Sequence, residues 1–230
     1  MNPVLILSRN TLELTRRCVE SIRKQDIPTR IFVIDNGSRD GSMQWAESEG
    51  ILLDAAPTNT GFSAAVNHGL AVIFAKGAEW CLVPNSDTEL APWTYRELLS
   101  THSGFVTGAS WDKLDAVMSE DNHWHGELTA GPDFSCFLVS RAMWETVGEL
   151  DRDMGIYCSD VDYDIRARRM GITLHNSHIK FFHNRSSTLR LASAGDRAAI
   201  KAQADHDHLV FKARYGMMPG DPGQEKLWEV

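Results

Sequence analysis

Short apolar runs alternate with amphipathic segments over the first 85 residues of the chain. Four strand-sized apolar runs lie at residues 4–7, 31–34, 51–53 and 80–83. Between them, apolar residues recur at helical spacing, which predicts helices over 12–24, 43–49 and 61–74. Continuous apolar runs of this length are typical of strands that are buried on both faces. The alternating order therefore predicts a parallel sheet with helices on both sides.

The pattern changes after residue 90, and the segments become less regular. It predicts further strands over 105–108, 134–139, 172–174 and 179–182, and helices over 92–100, 141–147, 161–170 and 198–215. Residues 111–131 are rich in Asp, His and Trp, and we expect this stretch to be partly irregular. We also expect the residues after 216 to form a loop and then to fray. A chain of 230 residues is long enough for one sizeable domain.

Composition and charge argue against several classes of protein. The formal net charge is −8, which argues against a protein that binds the phosphate backbone of nucleic acids. The apolar runs are far shorter than the roughly 20 residues that span a bilayer, so we predict no transmembrane segment. The N-terminus lacks a basic segment followed by an apolar one, and the four cysteines lack metal or redox spacing. We therefore expect free, buried thiols and a cytoplasmic location.

Polar residues gather where three of the predicted strands end. In open parallel sheets, ligands bind at the carboxyl ends of the strands. Loops are commonly polar in any case, so this pattern by itself favours a ligand site and an ordinary loop equally. The three strand ends carry Ser8-Arg9-Asn10, Asp35-Asn36-Gly37-Ser38 and Pro84-Asn85-Ser86-Asp87.

Two of the carboxylates at these strand ends have candidate roles. Asp35 can accept a hydrogen bond from the imide nitrogen of a uracil or thymine ring, and it can equally serve as a turn or cap residue. Asp87 is placed to bind Mg²⁺ or Mn²⁺, which prefer oxygen ligands and often keep substrate phosphates in their shell. Taken alone, Asp87 is better explained by the turn in which it lies.

Three acids alternate before a later helix, in Ser159-Asp160-Val161-Asp162-Tyr163-Asp164. One of them can be a general base that removes a proton from an acceptor hydroxyl. Acidic residues also stabilise a helix N-terminus without any catalysis. His183 follows an apolar strand and can complete a metal site, although a lone histidine is more often structural. For His123-Trp124-His125 we favour a surface loop over a zinc site.

Six segments with these residues follow one another in a characteristic order and spacing. They are VIDNGSRDGS at 33–42, NTGFSAAVNHG at 59–69, PNSDTEL at 84–90, VGELD at 147–151, YCSDVD at 157–162 and RARRMG at 166–171. From Val4 to about Ser187 the chain resembles the inverting GT-A glycosyltransferases of family 2, especially their rhamnosyltransferase-like branch. The segment PNSDTEL is similar to a form of the family's metal-binding element, and YCSDVD is similar to the segment that carries its catalytic base.

The resemblance implies both a fold and an activity. The fold is an α/β GT-A fold, with a mostly parallel, Rossmann-like central sheet flanked by helices. It is expected as a single domain over 1–230, with a nucleotide-sugar half (1–100), an acceptor and catalytic half (101–190), and a C-terminal helix and tail (191–230). The activity is transfer of a hexosyl or deoxyhexosyl group from a UDP-, dTDP- or GDP-sugar to a hydroxyl, with inversion and with Mn²⁺ or Mg²⁺. The acceptor stays open between a glycan, a lipid-linked sugar, a protein and a modified nucleobase.

The resemblance also implies roles for particular residues. Asp160 would be the catalytic base, and Asp87 with His183 would hold the metal. Two departures from the family pattern stand out: the first strand ends in Leu7-Ser8-Arg9-Asn10 in place of Pro-Thr-Tyr-Asn, and Ser159 replaces a Glu, which keeps Asp162 open as the base. The residues implied in donor binding are Ser8, Asn10, Asp35, Asn36, Gly61, Phe62, Asn67, Asn85 and Ser86.

Two other functions compete with a glycosyltransferase. A non-catalytic module that binds a nucleotide-sugar or a glycan on the same fold is the main alternative, motivated by Ser159. A nucleotidyltransferase shares the α/β plan and the metal, but it is expected to carry a Gly-rich loop with a Lys after the first strand. Ser8-Arg9-Asn10-Thr11 has no such loop, so this function ranks last.

Overall fold

A computed structural model describes residues 2–119, 121–123, 132–185 and 187–228. Within these residues the strands form one sheet in the order β3-β2-β1-β4-β7-β6-β8-β5. The strands are β1 (Asn2–Ser8), β2 (Thr29–Asn36), β3 (Leu52–Ala56), β4 (Trp80–Pro84), β5 (Thr88–Glu89), β6 (Phe105–Trp111), β7 (Cys136–Ser140) and β8 (His175–His183).

Helices cover both faces of this sheet. They are α1 (Leu12–Arg23), α2 (Ser42–Ser48), α3 (Phe62–Ala75), α4 (Thr94–Ser100), α5 (Leu114–Val117), α6 (Arg141–Val147), α7 (Ser159–Arg169), α8 (Ser187–Leu191) and α9 (Ala194–Tyr215), followed by a 3₁₀ helix at Gln224–Trp228.

The first half of the sheet is parallel, as the sequence pattern predicts. β1 lies between β2 and β4 and is parallel to both, and β2 is parallel to β3. Successive residues of β1 are buried on opposite faces: Leu5 packs with Leu70 of α3, whereas Val4 and Ile6 pack with Val19 of α1. Because both faces are covered by helices, the strand reads as a continuous apolar run.

The second half of the sheet is mixed. β7 is antiparallel to β4 and to β6, and β5 is antiparallel to β8, while β6 and β8 are parallel. The α/β class with flanking helices is thus confirmed, although parallel and antiparallel pairs are mixed beyond β4. An apolar run records that a strand is buried, but it does not record the direction of its neighbour. Residues 172–174, predicted as a strand, lie before β8 and outside it.

The C-terminal tail is more ordered than expected. The 3₁₀ helix at Gln224–Trp228 packs on α7, and Leu227 is 9% exposed. The Arg169 Nε atom donates to the Leu227 carbonyl at 3.1 Å. The expectation of fraying is wrong for this turn, because it buries an apolar side chain and satisfies a backbone acceptor.

The described residues bear out two expectations drawn from composition. Cys18, Cys81, Cys136 and Cys158 are all buried and free. In the part of the chain that the structure describes, no helix is both long enough and apolar enough to cross a membrane.

Gly69 sets the distance between α3 and the sheet. A Cβ atom at this position would lie 2.5 Å from Leu5 Cδ2 and 2.9 Å from Ile34 Cδ1, far closer than packed carbon atoms approach. The helix therefore lies directly on β1 and β2, and larger side chains at residue 69 would push it away.

We expect Gly69→Val to lower the free energy of unfolding by about 1–3 kcal/mol, because the added methyl groups overpack the contact with Leu5 and Ile34. Urea denaturation measures the change. Ala71→Val, at an exposed position of the same helix, is the control and should stay within about 0.5 kcal/mol of the wild type. Equal denaturation midpoints for the two variants would contradict this account of the helix–sheet contact.

Candidate active site

A cleft of about 490 Å³ opens where β1, β2 and β4 end. Because β7 runs antiparallel to β4, its first residues reach the same edge of the sheet, and Asn85 N donates to the Ser135 carbonyl at 2.8 Å. The cleft is lined by Leu7, Arg9, Asn36, Asn59, Phe62, Asn85, Ser86, Asp87, Asp133, Phe134, Ser135, Ile156, Tyr157, Ser159, Asp160, His183, Arg185, Leu189 and Ile200.

The two predicted metal ligands meet in this cleft. The two-residue strand β5 pairs with the end of β8, so that Thr88 lies opposite His183. The Asp87 carbonyl accepts from Asn184 N at 2.9 Å, which fixes the turn before β5. As a result His183 Nε2 lies 3.3 Å from Asp87 Oδ1, and both side chains are largely buried.

This pair suits a divalent cation that is shared with a phosphorylated ligand. Among the described residues, no three His, Cys, Asp or Glu side chains gather into a complete metal cage. Mg²⁺ and Mn²⁺ do not need one, since one or two protein ligands together with substrate phosphates are a common arrangement. A carboxylate oxygen and an imidazole nitrogen that face each other therefore fit such an ion.

Asp160 is the acid of the 159–164 segment that lines the cleft. It lies in the first turn of α7, where its Oδ1 accepts from Val161 N at 2.9 Å. Burial raises the pKa of its carboxyl above the usual value, and the charges of Asp133 and Asp164 raise the pKa further, against backbone hydrogen bonds that lower it. A carboxyl with a raised pKa is a stronger base than an exposed Asp.

Asp162, the alternative base, is placed quite differently. Its side chain is completely buried. It accepts from Arg166 Nε at 2.8 Å, from Arg214 Nη1 at 2.8 Å and from the Tyr215 hydroxyl at 2.7 Å. It does not line the cleft. Asp162 thus joins α7 to the end of α9, and its oxygens are occupied by these three donors.

Four of the predicted donor-binding residues line the cleft: Asn36, Phe62, Asn85 and Ser86. The Asn36 amide is engaged on both sides, because its Nδ2 donates to Asn59 Oδ1 at 2.9 Å and its Oδ1 accepts from Thr60 N at 2.9 Å. The Ser86 hydroxyl lies 3.0 Å from Thr11 Oγ1. Asn36 therefore shapes the loop that precedes α3.

Three other predicted donor residues lie behind the wall of the cleft. The Ser8 hydroxyl is buried and lies 2.9 Å from Thr15 Oγ1. Asn10 adopts a left-handed backbone conformation (φ 51°), and its Oδ1 accepts from Arg39 N at 2.7 Å. The Asn67 amide exchanges hydrogen bonds with the backbone of Leu150, at 2.8 and 2.9 Å. These side chains support the loops around the cleft.

Asp35 and Gly61 also lie outside the lining of the cleft. Asp35 Oδ1 accepts from Ser38 N at 2.9 Å, whereas Oδ2 is buried and has no hydrogen-bond partner among the residues that the structure describes. A buried carboxylate oxygen of this kind is costly and suits a donor brought by a ligand. Gly61 has φ 86°, and a Cβ there would lie 2.9 Å from the Gly155 carbonyl oxygen, so the position requires glycine.

The structure adds charged cleft residues that the sequence did not single out. Arg9 donates from Nη1 to the Asn36 carbonyl at 3.3 Å and pairs through Nη2 with Asp196 at 2.8 Å. Arg185 donates to Ser110 Oγ at 2.6 Å. Asp133, on the approach to β7, accepts from Ser135 N at 2.8 Å. Arg185 brings positive charge close to His183, two residues earlier in the chain, whereas Arg9 lies at the end of β1 and is paired with Asp196.

Asp207 is the most consequential residue that sequence reasoning missed. It lies in α9, is completely buried, and accepts from the backbone nitrogens of residues 155–157. A signal was present, because Asp207 falls between Ile200 and Phe211 on the apolar stripe of this helix. An acid at such a position requires buried donors.

His123, of the candidate histidine pair, lies away from the cleft. Its Nε2 is 3.3 Å from Glu97 Oε2 at the surface. Trp124 and His125 lie outside the described residues.

Comparison with known sequence families shows which family the chain belongs to. The model of glycosyl transferase family 2 matches residues 4–166, which include every strand of the parallel half and the start of α7. The chain belongs to glycosyltransferase family 2. A search of curated protein sequences finds no match.

Solved structures agree with this membership at the level of fold. Mannosyltransferase PcManGT of Pyrobaculum calidifontis, solved with GDP-Man and Mn²⁺, has a TM-score of 0.64 at 18% identity, covering 98% of this chain and 67% of that one. The structure of S. aureus TarS 1-349 with UDP-GlcNAc has a TM-score of 0.61 at 13% identity, covering 99% and 78%. The fold is thus the GT-A fold of these enzymes.

The raised pKa of Asp160 predicts the effect of its removal on stability. The folded state binds the Asp160 proton more tightly than the unfolded chain, so the ionised carboxylate costs stability at neutral pH. We expect Asp160→Asn to raise the melting temperature at pH 7. The gain should disappear as the pH falls towards about 4, the usual pKa of Asp, where the carboxyl is protonated in the folded protein.

Thermal denaturation between pH 4 and pH 8 tests this effect. Asp153→Asn removes the same charge from an exposed position in the preceding loop and should change the melting temperature little. A gain for Asp160→Asn that does not depend on pH would show that burial of the charge is not its cause.

Proposed function

We propose that this chain transfers a sugar from a nucleoside-diphosphate sugar to an acceptor hydroxyl, with inversion and with a divalent cation. The observation that carries the proposal is that Asp87 and His183 meet in the same cleft as Asp160. A pair of metal ligands and a base in one cleft, in a chain of this family, supply the two functions that sugar transfer needs.

The donor site follows from the charges at the end of the sheet. A bound divalent cation would neutralise charge on the leaving diphosphate, and Asp87 with His183 are the residues that would hold it. Arg9 and Arg185 also line the cleft, and Arg9 is paired with Asp196. PcManGT was solved with GDP-Man and Mn²⁺, and TarS 1-349 was solved with UDP-GlcNAc. Their shared fold supports a UDP-, dTDP- or GDP-sugar as the donor here and Mn²⁺ or Mg²⁺ as the metal.

We assign the base to Asp160. As the acceptor oxygen attacks the anomeric carbon, Asp160 takes the hydroxyl proton, and the bond to the diphosphate breaks with its electron pair. One direct displacement inverts the anomeric configuration. Asp162 is unsuited to this task, because Arg166, Arg214 and Tyr215 already occupy its oxygens.

The finer assignments stay predictions. They include a rhamnosyltransferase-like branch, a hexosyl or deoxyhexosyl group, and a cytoplasmic location supported by four free, buried cysteines. We also propose that 1–230 act as a single domain, since α9 is bonded to the loops that carry the cleft residues.

The rival function is a non-catalytic module that binds a nucleotide-sugar or a glycan in this cleft. Ser159, which stands beside Asp160 in the lining, is the observation in its favour. The two functions separate in one comparison, because a binding module would be stabilised by the nucleotide-sugar and would show no turnover with any hydroxyl acceptor.

We expect one of UDP, dTDP or GDP to raise the melting temperature in the presence of Mn²⁺ and to lose most of this effect with a chelator. At a hundredfold excess over Kd, ligand binding should add about 2.7 kcal/mol to the free energy of unfolding. In Asp87→Ala the metal-dependent part of the shift should disappear, because one of the two protein ligands is gone.

Asp115→Ala provides the matched control. This carboxylate lies in the short helix α5, outside the residues that line the cleft, and its loss should leave the nucleotide shift intact. A full shift in Asp87→Ala would contradict the metal assignment. The absence of a shift with every nucleotide in the wild type would contradict the donor site.

We expect Asp160→Asn to lower kcat by about a hundredfold or more while the KM for the sugar nucleotide changes little, because general-base catalysis typically contributes 10²–10⁴-fold. Steady-state release of the nucleoside diphosphate measures both constants. Asp153→Asn should behave as the wild type. If Asp160→Asn retained the wild-type kcat, the base would have to be sought elsewhere, with Asp133 as the next carboxylate in the cleft.

A further inference from the structure

The segment 154–157 forms part of the cleft wall next to the proposed base. Ile156 and Tyr157 line the cleft, and the chain reaches Asp160 three residues later. Tyr157 is 40% exposed, so part of its ring is free to contact a ligand in the cleft. A base must lie within hydrogen-bond reach of the hydroxyl that it deprotonates, so this wall borders the place where an acceptor binds.

One side of this segment is held by the start of α3. The Gly155 carbonyl accepts from Phe62 N at 2.5 Å, and the Met154 carbonyl accepts from the Ser63 hydroxyl at 2.6 Å. Gly61 approaches so closely that a Cβ atom would collide with Gly155. The carbonyl groups of the segment thus point towards α3.

The other side of the segment is held by a single carboxylate. Asp207 Oδ1 accepts from Gly155 N at 3.0 Å, and Oδ2 accepts from Ile156 N at 2.9 Å and from Tyr157 N at 2.8 Å. Gln203, one turn earlier in α9, donates to Oδ1 at 2.7 Å. Three successive backbone amides therefore depend on one completely buried side chain.

We propose that Asp207 is a positioning residue for sugar transfer, which holds segment 154–157 so that Ile156 and Tyr157 form the acceptor wall beside Asp160. That this wall borders an acceptor rests on the proposed function. That Asp207 holds segment 154–157 in place, which we call the clamp, rests on the hydrogen bonds alone. Among the hydrogen bonds of the described residues, Asp207 has none to the ends of β1, β2 and β4. Although Gly155 contacts Phe62 at the start of α3, donor binding should therefore depend on Asp207 less than acceptor binding does.

Asp207→Asn tests the clamp with almost no change in volume. One carboxylate oxygen becomes an NH₂ group, which cannot accept from a backbone amide. We expect amide hydrogen exchange at 155–157 to become at least about tenfold faster, while exchange in β1 and β4 stays at the wild-type rate. Asp205→Asn is the matched control, because it removes an exposed carboxylate of the same helix that pairs with Lys201 in an i,i+4 contact.

Kinetics then test the role in transfer. With p-nitrophenyl glycosides as hydroxyl acceptors, Asp207→Asn should raise the acceptor KM at least about tenfold and leave the KM for the sugar nucleotide within about twofold. The nucleotide-dependent thermal shift with Mn²⁺ should match that of the wild type. A purely structural role would instead weaken donor and acceptor binding together.

The outcomes separate the two proposals. Unchanged exchange at 155–157, faster exchange throughout the sheet, or equal losses for donor and acceptor would overturn the positioning role. If the wild-type protein transfers no sugar, the proposed function is wrong. Faster amide exchange confined to residues 155–157 in Asp207→Asn would still show that Asp207 holds this segment. If Asp207→Asn does not fold, Gln203→Leu removes one partner of Oδ1 and should give a smaller rise at the same amides.

Discussion

Antiparallel pairing of β4 with β7, at the centre of the sheet, determines which loops share the cleft. In a wholly parallel sheet, the end of β4 would neighbour only other strand ends. Here the first residues of β7 arrive beside Asn85, and the same reversal of direction recurs where β5 pairs with the end of β8. That second pairing sets Asp87 beside His183. Without it, these two proposed metal ligands would lie in unrelated turns, because 95 residues of chain separate them in the sequence.

Buried carboxylates connect α7 and the loop before it to the C-terminal helix α9 in two places. Asp162 of α7 accepts hydrogen bonds from Arg214 and Tyr215, whereas Asp207 of α9 accepts hydrogen bonds from three backbone amides. Breaking a buried pair by removing one partner typically costs 3–5 kcal/mol, since an uncompensated charge stays behind. Asp160 is the opposite case, because its side chain is only partly buried, it accepts from Val161 N, and its pKa is raised. Both oxygens of Asp162 and of Asp207 thus accept hydrogen bonds from other residues, whereas Asp160, the acid proposed for catalysis, has fewer donors.

Sequence reasoning was most successful for residues whose role is local. The strands of the parallel half and the helices between them follow from apolar periodicity, because each reflects burial by nearby elements. Asp87, His183 and Asp160 were named from motifs, and the structure brings all three to one cleft. Ser8, Asn10 and Asn67 also occupy motif positions, yet their side chains form hydrogen bonds with neighbouring segments of the chain. A motif identifies a position and does not record which way its side chain points.

What the sequence by itself determined is the family, the α/β class and the candidate residues, because these depend on local order, spacing and residue type. Only the tertiary structure showed that Asp160 lines the cleft, whereas Asp162, two residues later, is buried and bonded to Arg166, Arg214 and Tyr215. It also revealed β5, whose two residues are too few for any periodicity, and the role of Asp207, whose partners lie about 50 residues earlier in the chain. Such contacts depend on how distant segments pack, and a one-dimensional pattern does not contain that information.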